Sequence, residues 1–314
     1  MKPLKIIFAG TPEFAVPYLR GLLAEANFEI IGVVTQPDRP SGRKQELASP
    51  PVKVLAAENN LKIWQPEKLK GNEELLRELK TLEFDYLVVT AYGLIIPAEF
   101  LALAKGGNIN VHPSLLPLYR GASPIQSAIL NGEKETGVTV MLMDEKMDHG
   151  PILAQEKVAL TGEETNESLH FQLAGFGVPL LIKTIKDFAE GKIKPQEQNH
   201  EAATFCAIID KAQARIDWRN PAEEIKRKVH AFYPWPAAWT TLDGLRLKVL
   251  PPATAIADDT GSYELGQIKL NGNLAVCCGE GWLELKQLQL EGKKVMSAED
   301  FIRGYKDLDG KILK

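Results

Sequence analysis

The alternation of strand and helix signals over the first 143 residues constrains this chain more than any other feature of it. Lys5 to Ala9 (KIIFA) is a short apolar run ending at Gly10. Thr11, Pro12 and Glu13 then supply an N-cap, a proline suited to a first helical turn and an early acid, which predicts a helix from Pro12 to Glu25. The same grammar repeats. Glu29 to Thr35 reads as strand, Pro51 to Glu58 as helix, Leu61 to Trp64 as strand, Glu73 to Lys80 as helix and Phe84 to Thr90 as a buried strand. Asn108 to His112 (strand), Ala122 to Asn131 (helix) and Gly137 to Met143 (strand) complete the series. This pattern predicts an α/β fold: a Rossmann-like, mostly parallel sheet with helices on both faces. Sheets of this kind bind ligands beyond the carboxyl ends of their strands.

The remainder of the chain obeys different periods. Thr165 to Ala189 carries Leu169, Leu173, Phe176, Leu180, Ile185 and Phe188 at helical spacing, which predicts a long packing helix. After Gly191 the stretch KIKPQEQNHEAAT is polar and holds a proline, so it reads as a linker. Pro221 to Ala231 is helical in pattern, and from Trp239 to Leu290 short apolar runs are broken by Gly and Asp-Gly. That predicts a smaller, β-barrel-like (OB-like) carboxyl-terminal domain. The expected division is residues 1–190, a linker at 191–206 and a second domain at 207–314, since one core rarely organises so long a chain.

Composition narrows the class. With 45% hydrophobic and 25% charged residues the chain is of ordinary globular type. The least polar stretch, Tyr86 to Ala104, is interrupted by Gly93, Pro97 and Glu99, which favours strand plus short helix over a membrane span. MKPLKIIFAG runs directly into a strand pattern without a cleavable signal, so a cytoplasmic location is expected. The three cysteines have neither metal-ligand nor disulfide spacing and are expected in the core. Because 37 Lys+Arg face 41 Asp+Glu, a nucleic-acid partner would have to be held by local basic patches.

The candidate chemistry lies in NINVHPSLLP, Asn108 to Pro117. Side chains alternate across a strand, so Asn110 and His112 share one face while Ile109 and Val111 take the other. Pro113 and Pro117 stiffen the loop that follows. A second polar cluster, Met147 to Pro151 (MDHGP), closes the next strand; alone it reads as a tight turn. If two neighbouring strand tips unite the clusters, an amide, an imidazole and a carboxylate meet. That set suits acyl transfer to an amine, with donors for the developing oxyanion and a carboxylate that orients and charges the ring. No metal is called for, because asparagines beside one histidine are a poor donor set. FAGTP lacks the G-x-G-x-x-G spacing, and no P-loop, G-x-S-x-G or H-E-x-x-H motif occurs. Kinase, serine hydrolase and zincin readings lose their main support.

The runs NVHPSLLPLYRGASPIQ and GVTVMLMDEKMDHGPIL resemble the formyltransferase superfamily that uses 10-formyltetrahydrofolate. FAGTPEFA, TQPDRPSGR, SPPVKVLA, AYGLIIP, ARIDW, FYPWPAAW and GKKVMSAEDF look like its methionyl-tRNA formyltransferase branch, in order along essentially the whole chain. The resemblance implies Asn110, His112 and Asp148 as catalytic residues of a catalytic first domain. It further implies that Ser114, Leu115, Leu116 and Pro117 contact the folate, and that Tyr92, Gly93, Leu94 and Ile95 line a pterin pocket. The implied reaction moves the formyl group of 10-formyltetrahydrofolate, a co-substrate used without a metal, to initiator methionyl-tRNA. Arg39, Arg43, Lys44, Lys192, Lys194 and Lys248 are the expected tRNA contacts, with Lys183, Lys186, Lys226, Arg227, Lys228, Arg246, Lys293 and Lys294 as further basic groups. His149 stands where the family usually has threonine. A monomer is expected. The nearest alternative is a nucleotide-sugar N-formyltransferase; a folate hydrolase and a non-catalytic RNA-binding module are more distant ones.

Overall fold

A computed structural model describes residues 2–41, 46–257 and 262–314. Seven strands form the first sheet: β1 (Leu4–Gly10), β2 (Phe28–Val34), β3 (Ile63–Trp64), β4 (Tyr86–Thr90), β5 (Gly107–His112), β6 (Glu135–Leu142) and β7 (Ile152–Ala159). Their order is β7-β6-β5-β4-β1-β2-β3. The run from β3 through β2, β1 and β4 to β5 is parallel. All five residues of β4 are buried, and Ile6, Ile7 and Phe8 of β1 are wholly so, as strands covered on both faces require. The helices are α1 (Val16–Leu23), α2 (Pro51–Glu58), α3 (Glu73–Thr81), α4 (Ala98–Leu101), α5 (Pro124–Leu130) and α6 (Asn166–Ala189). The helix expected from Pro12 begins instead as a 3-10 turn at Glu13–Ala15 that leads into α1.

One strand runs against the expectation. β6 is antiparallel to β5, so that Leu142 pairs with Ile109 at the beginning of β5 and Thr139 with His112 at its end. The picture of two neighbouring strand tips is therefore corrected: the Asp148 cluster does not end a strand pointing the same way as β5. Instead the chain turns back at once, with the Leu142 N–H donating to Pro151 O. Gly150 permits the turn, since a Cβ there would lie 2.1 Å from Leu142 O. Periodicity identifies strand residues but carries no information on strand direction.

Contacts divide the chain into Met1–Gly121, Thr136–Val158 and His170–Phe205 as one unit, and Ala122–Glu135, Ala159–Leu169 and Cys206–Lys314 as another. Two expectations shift. The segment expected as a linker, 191–206, groups with the first unit as far as Phe205: Gln196 bridges Ile152 and Gln198 is buried. Conversely, α5 groups with the second unit, where Arg227 Nε donates to Leu130 O at 3.0 Å.

The second unit contains an antiparallel half-barrel of β8 (Trp239–Leu242), β9 (Leu245–Ile256), β10 (Ile268–Leu270), β11 (Leu274–Cys277) and β12 (Trp282–Leu290), ordered β8-β9-β12-β11-β10, with β13 (Met296–Ser297) against β12. Residues Lys311–Lys314 bridge its edges. Ile268 N–H donates to Lys311 O on one side, and Thr241 and Lys314 exchange backbone hydrogen bonds on the other. Helices α7 (Ala222–Ala231) and α8 (Ala298–Gly304) supply Ile225, Val229 and Phe301 to its core. Among the described residues no helix is long and apolar enough to cross a membrane.

Where β6 crosses β7, a Cβ on Gly137 would sit 2.1 Å from Glu156 O and 2.5 Å from Leu115 Cδ2. Backbone cannot yield as a flexible side chain can. Gly137→Ala is expected to cost about 1–3 kcal/mol in a urea unfolding titration.

Candidate active site

The polar face of β5 holds the centre. Ile109 and Val111 are buried on the opposite side, leaving Asn110 and His112 to project together. Both approach one atom: Asn110 Nδ2 lies 3.5 Å and His112 Nδ1 3.6 Å from Asp148 Oδ1. The other carboxylate oxygen, Oδ2, accepts the Gly121 N–H at 2.8 Å. His112 Nε2 lies 2.9 Å from Tyr119 O. A carbonyl can only accept, so the proton belongs on Nε2, and Nδ1 is the nitrogen left to face the carboxylate. A ring that also protonates Nδ1 satisfies both neighbours. The Asp148 side chain keeps 14% of its surface, against 5% for His112, so the carboxylate is the more accessible of the two.

Asp148 has a left-handed backbone, φ +49°. Aspartate tolerates that region better than most residues, yet such a conformation persists only where the surroundings enforce it. The enforcement comes partly from Gln198, whose Nε2 donates to Asp148 O at 2.9 Å and to Gly150 O at 2.7 Å. Its Oε1 accepts from buried Arg120, at 3.2 Å from Nε and 2.6 Å from Nη2. Arg120 Nη2 also reaches His200 Nδ1 at 2.9 Å. His200 stacks on His149 with ring centroids 4.0 Å apart and planes 5° from parallel, while His149 Nδ1 lies 2.6 Å from Asp144 Oδ2. Loss of solvation, then the charges of His149 and Arg120, hold the His200 imidazole below the ordinary histidine range.

The loop after β5 is pinned from within. Ser114 Oγ donates to Leu118 O at 2.6 Å, Thr139 Oγ1 donates to Ser114 O at 2.6 Å and accepts Leu116 N–H at 3.1 Å, and Gln155 Nε2 donates to Leu116 O at 2.9 Å. Ser114 and Leu116 are buried; of the four expected folate contacts, Leu115 and Pro117 keep side-chain surface. The AYGLIIP segment follows β4, next to β5. Tyr92, expected in a pocket lining, is buried with Ile7, Val34 and Phe100, and burial pushes its hydroxyl pKa up. Its carbonyl accepts from Thr11 Oγ1 at 2.8 Å and Gln36 Nε2 at 3.0 Å, which ties together the ends of β1, β2 and β4. Gly93 and Ile95 are exposed and Leu94 is half-buried.

The expected tRNA contacts are scattered along the chain. Arg39 is exposed at the start of a short strand, Arg39–Ser41, that pairs with Glu46–Ala48; Arg43 and Lys44 lie outside the described residues. Lys192 pairs with Glu190 at 2.5 Å, which raises its pKa above the ordinary lysine range. Lys194 is exposed, and Lys248 is half-buried opposite Trp239 in the β8–β9 register. Lys183 pairs with Asp187, Lys186 with Glu25 at 2.5 Å, and Lys226 with Glu163 at 2.5 Å.

Sequence reasoning named Asn110, His112 and Asp148 but missed Gly121, Tyr119, Arg120 and Gln198. Gly121 and Tyr119 act through backbone atoms, which leave no side-chain signature. Gln198 fell in a polar stretch whose composition reads as linker.

Residues 4–185 match the family described as formyl transferase, and residues 208–306 match the formyl transferase C-terminal domain. In fold the chain is similar to WlaRD, a sugar 3N-formyl transferase whose crystal structure was obtained in the presence of dTDP and 5-N-formyl-THF. That likeness has a TM-score of 0.66 at 21% identity and covers 94% of this chain and 100% of the other. It is likewise similar to an N-formyltransferase from Helicobacter canadensis in complex with folinic acid and dTDP-3-aminofucose, with a TM-score of 0.68 at 20% identity over 91% and 100% of the two chains. The chain is a formyl-transferring enzyme of the formyl transferase family. Methionyl-tRNA formyltransferases resemble it along its length: that of Caldanaerobacter subterraneus subsp. tengcongensis is 42% identical over 99% of this chain and 100% of the relative. That of Methylococcus capsulatus (strain ATCC 33009 / NCIMB 11132 / Bath) is 43% identical over 96% and 97%. Within the family, the chain belongs to the methionyl-tRNA formyltransferase branch.

If the three converging groups carry the reaction, Asn110→Ala, His112→Ala and Asp148→Ala each lower kcat by about a hundredfold or more while keeping a cooperative thermal melt. Steady-state formylation rates read beside circular dichroism melts would refute the assignment if all three stayed near the wild-type rate.

Proposed function

We propose that this chain transfers the formyl group of 10-formyltetrahydrofolate to the free amino group of initiator methionyl-tRNA, giving N-formylmethionyl-tRNA for translation initiation in the cytoplasm. The observation that carries the reading is the convergence of Asn110, His112 and Asp148 on one point of β5, in a chain whose full-length relatives bear that name. The folate supplies a formyl carbon on N10. Asn110 Nδ2 and a protonated His112 Nδ1 donate to the formyl oxygen as it gains negative charge under attack by the amine. Asp148 Oδ1 balances the charged ring and receives the amine's proton, which leaves with N10 of the departing folate. Gly121 N–H fixes Oδ2, so that Oδ1 keeps its aim. Leu115 and Pro117, with half-buried Leu94 and exposed Ile95, offer apolar surface in the loops after neighbouring β5 and β4, a chemistry that fits a flat heteroaromatic donor.

Contact with the nucleic acid falls to exposed cations, Arg39, Lys192 and Lys194 among them, together with Arg43, Lys44 and Lys248. Phosphate contacts of this kind release counterions and weaken with salt.

Incubation with 10-formyltetrahydrofolate and charged initiator tRNA is expected to yield N-formylmethionine on mild hydrolysis of the product, and amino-sugar nucleotides are expected to be poor acceptors. Apparent affinity for the tRNA should fall at least about tenfold between roughly 50 and 200 mM salt. Preferential formylation of the amino sugar would decide for the nucleotide-sugar alternative, and a flat salt response would remove the tRNA.

A further inference from the structure

Gln198 is the one residue of the polar 191–206 segment that is buried beside the reacting groups, and it uses every hydrogen-bonding position of its amide. Oε1 faces the Arg120 guanidinium, which can only donate, and Nε2 faces two backbone carbonyls, which can only accept. The amide therefore has one orientation. It is 5% exposed, and its Arg120 partner is 3% exposed. The two carbonyls it holds belong to Asp148 and Gly150. They flank His149 and bracket the turn in which Asp148 adopts φ +49°. Gly150 is itself packed so tightly that a Cβ would strike Leu142 O. Arg120 precedes Gly121, whose N–H anchors Asp148 Oδ2. The backbone and the carboxylate of Asp148 are thus held by two adjacent points, one running through Gln198 to Arg120 and the other through Gly121.

We propose that Gln198 is a positioning residue for the transfer reaction: by clamping the carbonyls of Asp148 and Gly150 against Arg120, it sets where Asp148 Oδ1 points relative to His112 and Asn110. The clamp touches no substrate and acts only through Asp148. The assignment rests on the formyl-transfer reading for its kinetic consequence, but not for its structural one.

Gln198→Glu separates the two halves of the clamp. One carboxylate oxygen still accepts from Arg120, whereas the other confronts two carbonyls to which it cannot donate. Single-turnover formylation is measured for the wild type, Gln198→Glu, Asp148→Asn and the double variant, together with the His112 ring resonances of each resting protein by NMR. Gln198→Glu is expected to slow the chemical step by about ten- to a hundredfold, the scale of a misplacement of about 1 Å, with KM for the formyl donor within about twofold of wild type. In the Asp148→Asn background the same change should cost less than about twofold more, because groups that act as a unit are not additive. The His112 resonances should move in Gln198→Glu as they do in Asp148→Asn, and no further in the double variant. A wild-type rate in Gln198→Glu, or a loss that multiplies in full with that of Asp148→Asn, overturns the proposal. If the wild type forms no N-formylmethionine, the reaction reading has failed. The resonances then decide alone: unmoved His112 signals overturn the clamp, and shifts matching those of Asp148→Asn uphold it. Should Gln198→Glu fail to fold, Gln198→Met, similar in length and without the amide, is judged by the same outcomes.

Discussion

The site depends on an unequal division of labour within one carboxylate. Asp148 Oδ2 is spent on a backbone N–H at 2.8 Å, while Oδ1 meets His112 and Asn110 at 3.6 and 3.5 Å, contacts too long to be strong. That asymmetry is what a group-transfer centre needs. A carboxylate saturated by tight bonds would have no lone pair to offer an incoming proton, and one without an anchor would swing away from the imidazole. In the proposed transfer the anchored oxygen fixes geometry and the loosely held one keeps a lone pair for the amine's proton. His112 repeats the pattern, with Nε2 committed to Tyr119 O and Nδ1 left facing the shared space. Gaps of this length in a protein without substrate also leave room for contacts to tighten around a reacting group.

How the anchors arise follows from the way the chain returns after β6. Parallel neighbours need a crossover of a dozen or more residues, whereas antiparallel neighbours can be joined by a short turn. Leu142 N–H bonds Pro151 O and Leu160 N–H bonds Lys134 O, so β6 and β7 run antiparallel and the chain reverses within Met143–Pro151, a turn that admits only glycine at 150 and holds a left-handed backbone at 148. Such a turn needs external support, and it receives it from Gln198 and Arg120. The strained conformation and the buried polar pair are two aspects of one constraint.

The sequence was informative wherever side-chain pattern determines structure. Periodicity marks most strands and helices of the first unit, and the i, i+2 relation alone puts Asn110 and His112 on one face. It failed where information lies in the backbone or in distant pairing. Strand direction, the 3-10 start before α1 and the anchoring roles of Gly121 and Tyr119 leave no trace in composition. The resemblance alone marks Tyr92 and its segment, and the burial of its ring with Ile7 and Val34 is not legible in AYGLIIP. The segment 191–206 misleads for the opposite reason: a buried glutamine is indistinguishable from a solvated one until its three partner residues are known.

Charge illustrates the same limit. The chain carries four more acids than bases, so phosphate contacts must come from cations that the fold leaves available. Lys226 keeps 11% of its side-chain surface and bonds Glu163, and Arg227 is committed to Leu130 O; these hold structure. Lys192 also has acidic partners, yet 64% of its side chain is exposed. An exposed ion pair of this kind contributes little to stability, so pairing with Glu190 does not by itself commit Lys192 to the fold. Exposure and prior commitment together decide which cations stay available to a nucleic acid, and neither is encoded in a run of basic letters.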